Sequence, residues 1–537
     1  MGVKKEKIKK ELTKTFLLLV LISLIGSFQF GYNIWIVNDP SWLLSDLHNI
    51  TLSEPSPDQD ILKFLMSLTV VIFPIGGVTG SCLLGFMVDR FGRKGTLLIN
   101  NFVAAFAAVF IACSEMIHSP GLVIFSRFAA GIWTGMFGSV VPMYLGEISP
   151  TSLRGAISML PMLFSTLGVI FALVLGHPDI LGNEKGWAIM LSLPALLALL
   201  QIFFLLSCPE SPRYLLIQKN KEEEAREVLK MLREKDEVED EIEELHEEYL
   251  YEKEERQMQI FELIGHKGLQ KQFICIIVLM VGQQFSGINS AYYYAADIYR
   301  STKIGGPNIH YLQMAAHFVL LFAHVFSIFV IDFWGRRFLL LTGFGICNVT
   351  SILLTMTLEL KNIIWWMPYI STILATVFTI GYTIGPSSIP FLMTTELFLQ
   401  SSRSSAYVIG GCVHWLSKFL LWVIMLHINK GIGPYSFLVF LPFSTASFWY
   451  ILKAAPETKQ KTFLEIRKVM EKTKPPKKSS GRRQTERWES TSQDDRILQN
   501  SIAMEFVEVL QARINPEVVS AEVSSSVPHF VKKERQT

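Results

Sequence analysis

The feature that most limits what this chain can fold into is the spacing of its apolar residues. They come in blocks of about 20 separated by charged segments, the length a helix needs to cross the hydrocarbon core of a bilayer. Twelve blocks are present. Six lie at about 16–38, 64–88, 96–114, 121–145, 156–177 and 187–208, and six at about 272–299, 312–331, 338–357, 364–392, 405–427 and 434–454. A backbone without water must bond to itself, so such blocks are helices. The chain reads as an all-α membrane protein with twelve transmembrane helices. Composition agrees: 50% of the 537 residues are hydrophobic and 18% charged, against about 25% charged in soluble domains.

Other classes are excluded. There are 6 Cys, and Cys82, Cys113, Cys275, Cys347 and Cys412 lie inside apolar blocks, which is no secreted disulfide scaffold. The net charge is +2 with basic residues at block edges, so no nucleic-acid partner is expected. No Walker motif, metal cluster or nucleophile–base arrangement is visible, so neither an enzyme, a cofactor nor a metal is expected. The first block carries Gly26 and Gly31 and shows no small-residue cleavage site before Asn38, so it reads as a span rather than a signal peptide.

Short basic loops set the orientation. Lys4, Lys5, Lys7, Lys9 and Lys10 precede span 1; Arg90, Arg93 and Lys94 join spans 2 and 3; Arg154 joins 4 and 5; Arg336 and Arg337 join 8 and 9; Arg403 joins 10 and 11. The positive-inside rule puts these loops and both termini in the cytosol. The loop after span 1 is then outside, where Asn49-Ile50-Thr51 is a glycosylation acceptor. A second sequon at Asn348 falls inside span 9 and is expected to be unused. The divisions are a cytosolic N-terminus (1–15), a six-helix half (16–208), a cytosolic linker (209–271), a second half (272–454) and a cytosolic tail (455–537), largely disordered from about residue 472. The linker has Ala225, Val228, Leu229 and Leu232, then Val238, Ile242, Leu245 and Tyr249, at helical spacing. It reads either as short amphipathic helices under the membrane domain or as a solvated charged segment.

Three charged motifs occur twice in the same order. Asp89, Gly92, Arg93 and Lys94 are matched by Asp332, Gly335, Arg336 and Arg337; Glu147 and Arg154 by Glu396 and Arg403; Glu210 in Pro209–Arg213 by Glu457 in Pro456–Lys459. Asp332 follows Asp89 by 243 residues, Glu396 follows Glu147 by 249, and Glu457 follows Glu210 by 247. Two six-span halves of one kind are the architecture of a major-facilitator transporter. The charges read as a clamp that pairs when the cytosolic side closes and parts when it opens; they also read more simply as loop markers that satisfy topology. Each exposed pair contributes about 0–1 kcal/mol, but several together bias a two-state equilibrium.

Asp89–Lys94, Pro142–Glu147, Pro209–Tyr214, Gly282–Asn289, Gly385–Pro390 and Pro456–Lys459 together resemble the facilitative hexose transporters of the sugar-porter family, over about residues 16–470. Phe398–Arg403, His414–Ser417 and Gly433–Phe437 are most similar to its fructose-transporting branch. The resemblance implies a plasma-membrane carrier, a monomer, moving fructose first and glucose second.

A sugar site needs neutral donors and acceptors at mid-membrane depth and an aromatic wall. Span 7 offers Gln283, Gln284, Ser286 and Asn289, with Gly287 as a bend; the same residues also suit helix-to-helix hydrogen bonding, and the resemblance favours the sugar site. The resemblance also implies an extracellular gate at Tyr292 and Tyr293. Gly381, Gly385, Pro386 and Pro390 predict a broken span 10, where Phe391 takes a position at which many members place a cavity Trp. Tyr32, His414 and Trp415 are further wall candidates, although His and Trp also occur as plain packing.

Several positions depart from the family. Met162 and Leu173 stand where it usually has Gln, Leu320 and Lys418 where it has Asn, and Tyr382 where the fructose branch has His. Each change alters hydrogen bonding, and a lost partner costs about 1–3 kcal/mol. Lys418 either faces the cavity and favours an anion such as urate, or snorkels to an interface. Span 1 has no acid in Phe28–Asn33, which predicts uniport by alternating access rather than proton coupling. The alternative class is a non-transporting relative that senses a solute.

Overall fold

The computed structural model describes residues 12–35, 59–117, 120–177, 179–183, 186–253, 260–292, 298, 309–361, 363–428 and 433–472. Tyr293, the Asn49 sequon, the lysines before residue 11 and the tail beyond residue 472 lie outside them.

Ten described stretches are long and apolar enough to cross a membrane. One of these, Ser67–Ser114, is spans 2 and 3 joined without a loop, and the shorter apolar helix Ile189–Leu205 is span 6. Every expected span therefore has a helical counterpart. Span 1 is Lys14–Trp35, span 4 Pro120–Ile148, span 5 Arg154–Leu175, span 8 Ile309–Trp334, span 9 Arg336–Leu360 and span 11 Gln400–Ile428. Asn348 sits within the span 9 helix, as expected. Large side chains on the outside are apolar, among them Phe86, Phe102, Phe203, Phe322 and Phe329. That pattern suits lipid rather than water.

The break between spans 2 and 3 is made by Gly92 at φ +76°, and that between spans 8 and 9 by Gly335 at φ +89°. A side chain fails at both for two reasons. The backbone is in the region that favours glycine, and a Cβ would lie 2.4 Å from Glu210 Oε2 at Gly92 and 2.5 Å from Glu457 Oε2 at Gly335. The repeat in the sequence is thus a repeat in backbone shape.

Span 10 is broken as its glycines and prolines predict, into Met367–Ile384 and Ile389–Leu397. The span 7 helix Gln270–Gln284 ends before Gly287, which has φ +94°. The linker takes the helical alternative: Glu222–Arg233 and Glu239–Lys253 bury Ala225, Leu229, Leu232, Val238, Ile242 and Leu245. All of them except Leu232, which packs into the main core, form one apolar cluster with Leu215 and Leu216. The two sets of spans meet where span 2 packs on span 11 and span 5 on span 8.

Candidate functional site

A cavity of about 190 Å³ lies between the halves. Trp35, Phe73, Arg127, Met162, Ser165 and Thr166 face it from the first half, and Asn289, Tyr292, His317, Leu320, Tyr382, Ser387, Lys418 and Trp422 from the second. Of the residues expected to bind solute, Asn289, Tyr382 and Lys418 line it directly. The Asn289 Nδ2 has no hydrogen-bond partner, so a donor is left at the cavity.

Gln283, Gln284 and His414 do not line the cavity. They form a buried network beside it: His414 Nδ1 is 2.8 Å from Gln283 Oε1 and 3.1 Å from Gln284 Nε2, and Gln283 Nε2 donates to the Ser387 carbonyl at 2.6 Å. Ser387 itself lines the cavity, so this network fixes the bend of span 10 that forms one wall. Phe391 packs on His414 with ring centroids 5.4 Å apart. Trp415 fits between the halves, 5.7 Å from the Phe73 ring and 6.5 Å from Phe30. Neither lines this cavity.

Tyr32 is placed differently from its expected role as a wall. It is fully buried and donates its hydroxyl to the Met190 carbonyl at 2.7 Å, within the first half. A buried phenol takes the nearest strong acceptor, and on span 1 that acceptor lies behind the cavity. Trp35, one turn further along span 1, lines the cavity instead. Its ring lies 5.6 Å from Tyr292 and 4.6 Å from His317, forming a lid across the halves on the side opposite the basic loops.

Among the departures from the family pattern, Met162, Leu320, Tyr382 and Lys418 line the cavity, whereas Leu173 is buried elsewhere. Sequence reading missed Arg127, His317 and His324. The signal was available, since an ionisable residue within a span is a site candidate by default. His324 Nδ1 lies 3.2 Å from Thr166 Oγ1, again across the halves.

The charged motifs converge at the ends of the spans that carry the basic loops. In the first half the Glu210 carboxylate accepts the backbone N–H groups of Arg93 (2.9 Å) and Lys94 (3.1 Å), Arg93 pairs with Glu147 at 2.8 Å, and Ser211 donates to Glu147 at 2.5 Å. The second half repeats each contact. Glu457 accepts the N–H groups of Arg336 (3.0 Å) and Arg337 (3.1 Å), Arg336 pairs with Glu396 at 2.9 Å, and Thr458 donates to Glu396 at 2.5 Å. Burial raises the Glu210 carboxyl above its ordinary range, while the N–H groups and Arg93 pull it back.

The copies differ at two points. Asp332 pairs with Arg336 at 3.1 Å, whereas Asp89 Oδ1 is buried without a hydrogen-bond partner. Arg403 crosses to Glu147 of the other half at 3.2 Å, whereas its counterpart Arg154 lies over the Phe463 ring at 3.9 Å. Arg403 and Arg213 approach the same ring at 4.4 and 4.6 Å. Arg213 is held by Glu244 at 2.9 Å and by Glu248, both on the linker helix Glu239–Lys253. Phe463 was invisible to motif reading because it belongs to no charged pattern.

The sugar (and other) transporter family profile matches residues 19–470. The chain is 44% identical over 463 residues to mouse "Solute carrier family 2, facilitated glucose transporter member 5", spanning 86% of this chain and 92% of the relative. The human protein of that name is 43% identical over 465 residues, spanning 86% of this chain and 93% of the relative. Human member 7 is 39% identical over 465 residues, spanning 86% and 91%. The fold is similar to that of the proton:xylose symporter XylE bound to 6-bromo-6-deoxy-D-glucose, with TM-score 0.73 at 20% identity, covering 85% of this chain and 99% of that one.

Proposed function

The chain belongs to the sugar transporter family, and on that premise we propose that it is a facilitative carrier moving a hexose, fructose first and glucose second, down its gradient. The observation that carries this reading is Asn289: a side-chain amide with an unpartnered donor, lining a cavity enclosed by aromatic rings between two halves. A sugar hydroxyl supplies the missing acceptor, and Trp35 and Trp422 add aromatic lining for the ring.

The halves rock about this cavity. With the cytosolic charges paired as they are here, the solute exits only after Glu147 and Arg403 part. Span 1 has Gln29 and Asn33 but no acid over Lys14–Trp35, so the cycle takes no proton. The carrier works as a monomer in the plasma membrane with both termini cytosolic, and it does no covalent chemistry on its solute.

The test is uptake of labelled fructose and glucose into proteoliposomes holding the full chain. Saturable fructose uptake, weakened tenfold or more in Asn289→Ala, is expected. Binding that raises thermal stability without any uptake would favour a solute sensor instead.

A further inference from the structure

We propose that the cavity also accepts, and prefers, a hexose-sized sugar carboxylate, with Arg127 and Lys418 as its anion-recognising pair. This inference rests on the cavity being the solute site. Arg127 comes from span 4 in the first half and Lys418 from span 11 in the second, and both line the one cavity. Arg127 is 4% exposed; its guanidinium lies 4.5 Å over the Phe73 ring, and its Nε has no hydrogen-bond partner. The Lys418 ammonium lies 5.1 Å over the Trp415 ring. Among the described residues neither forms an ion pair and no Asp or Glu lines the cavity.

Buried charges are ordinarily paired. A ring face satisfies a cation only in part, so two cations on a site without acids leave a binding position for an anion. A carboxylate matches the flat fork of the guanidinium with two oxygens, and the ammonium acts on it as a point charge. The rest of the lining serves hydroxyls: Asn289, Tyr382, Thr383 and Ser165 are polar and uncharged. A ring bearing hydroxyls and one carboxylate, a hexuronate, uses both sets at once.

Net movement of an anion carries charge, so its distribution follows the membrane potential. At about 2.3 kcal/mol per charge per 100 mV, the equilibrium accumulation ratio is about 50-fold per 100 mV. A neutral hexose shows none.

The experiment uses proteoliposomes with the full chain, labelled glucuronate and fructose in parallel, and a potassium diffusion potential of either sign. Expected are saturable glucuronate uptake with a KM at least tenfold below that of fructose, accumulation when the interior is positive, and no potential effect on fructose. In Lys418→Asn the ratio of glucuronate to fructose kcat/KM should fall tenfold or more. The wild-type potential dependence stands on its own should that variant fold poorly. Fructose uptake without glucuronate uptake overturns this inference and leaves the hexose carrier standing. Uptake of urate or a hexose phosphate but not glucuronate overturns the carboxysugar assignment. Absence of uptake for every solute overturns the carrier reading, and this inference with it.

Discussion

Glu147 at the end of span 4 and Arg403 at the start of span 11 form an ion pair of 3.2 Å in which both side chains are fully buried. It joins the first half to the second, and Glu147 simultaneously holds Arg93 within its own half. One carboxylate therefore serves both the local scaffold and the contact between halves. Removing one partner of a buried pair costs about 3–5 kcal/mol because the other charge is stranded. Arg403→Ala and Glu147→Gln should each lower the thermal midpoint and favour the state open on the side of the basic loops. A double-mutant cycle on thermal stability should give a coupling of about 0.5–3 kcal/mol; additive effects would show that the pair is not a clamp.

Met162 and Leu320 line the cavity at positions where the resemblance noted in the sequence implies an amide side chain, while Leu173 does not line it. Restoring donors should therefore separate by position. Met162→Gln and Leu320→Asn are expected to lower the fructose KM, each by a factor corresponding to about 1–3 kcal/mol at most. Leu173→Gln should destabilise the protein without improving KM. Equal effects at all three positions would argue that they act through packing.

Cys82 on span 2 and Cys412 on span 11 bring their sulfurs within 3.4 Å across the halves. Treatment with copper(II) phenanthroline should join them by a disulfide, the two thiols giving two electrons to two copper(II) ions and two protons to water. Transport should then stop and recover on reduction with a thiol. Cys82→Ser should be insensitive. Unaltered transport despite complete crosslinking would contradict rocking of the halves.

Glu252 lies on the linker helix Glu239–Lys253 and accepts the Ser401 backbone N–H at 3.1 Å. Burial, then the neighbouring Glu248 carboxylate, pushes it up to about 8. A carboxyl raised from 4.5 binds its proton more tightly in the docked linker than in a released one, so docking is favoured at low pH and that contribution is lost as pH rises toward 8. The thermal midpoint of the wild type should therefore fall between about pH 4.5 and 8, and Glu252→Gln should flatten the fall. An unchanged slope in that variant would assign the pH dependence to another group.

Sequence reading worked where the physics is local or periodic. Span length follows from bilayer thickness, the break in span 10 from Gly385 and Pro386, and the Gly92 and Gly335 turns from their place beside repeated charges. It was weaker where direction in three dimensions decides. Tyr32 and Trp35 lie on one helix, and which of them meets the cavity depends on the acceptor that Met190 presents. Gln283 and His414 form a network behind the wall because span 10 bends across them. Phe463 gathers three guanidiniums from sequence positions 60 to 309 residues away, a convergence that no spacing encodes.

Counterflow tests the carrier account most directly. Proteoliposomes preloaded with unlabelled fructose and diluted into labelled fructose should show a transient internal overshoot of label, with no pH change in the medium. Uptake that requires an imposed proton gradient, or entry of label without an overshoot, would contradict an alternating-access uniporter.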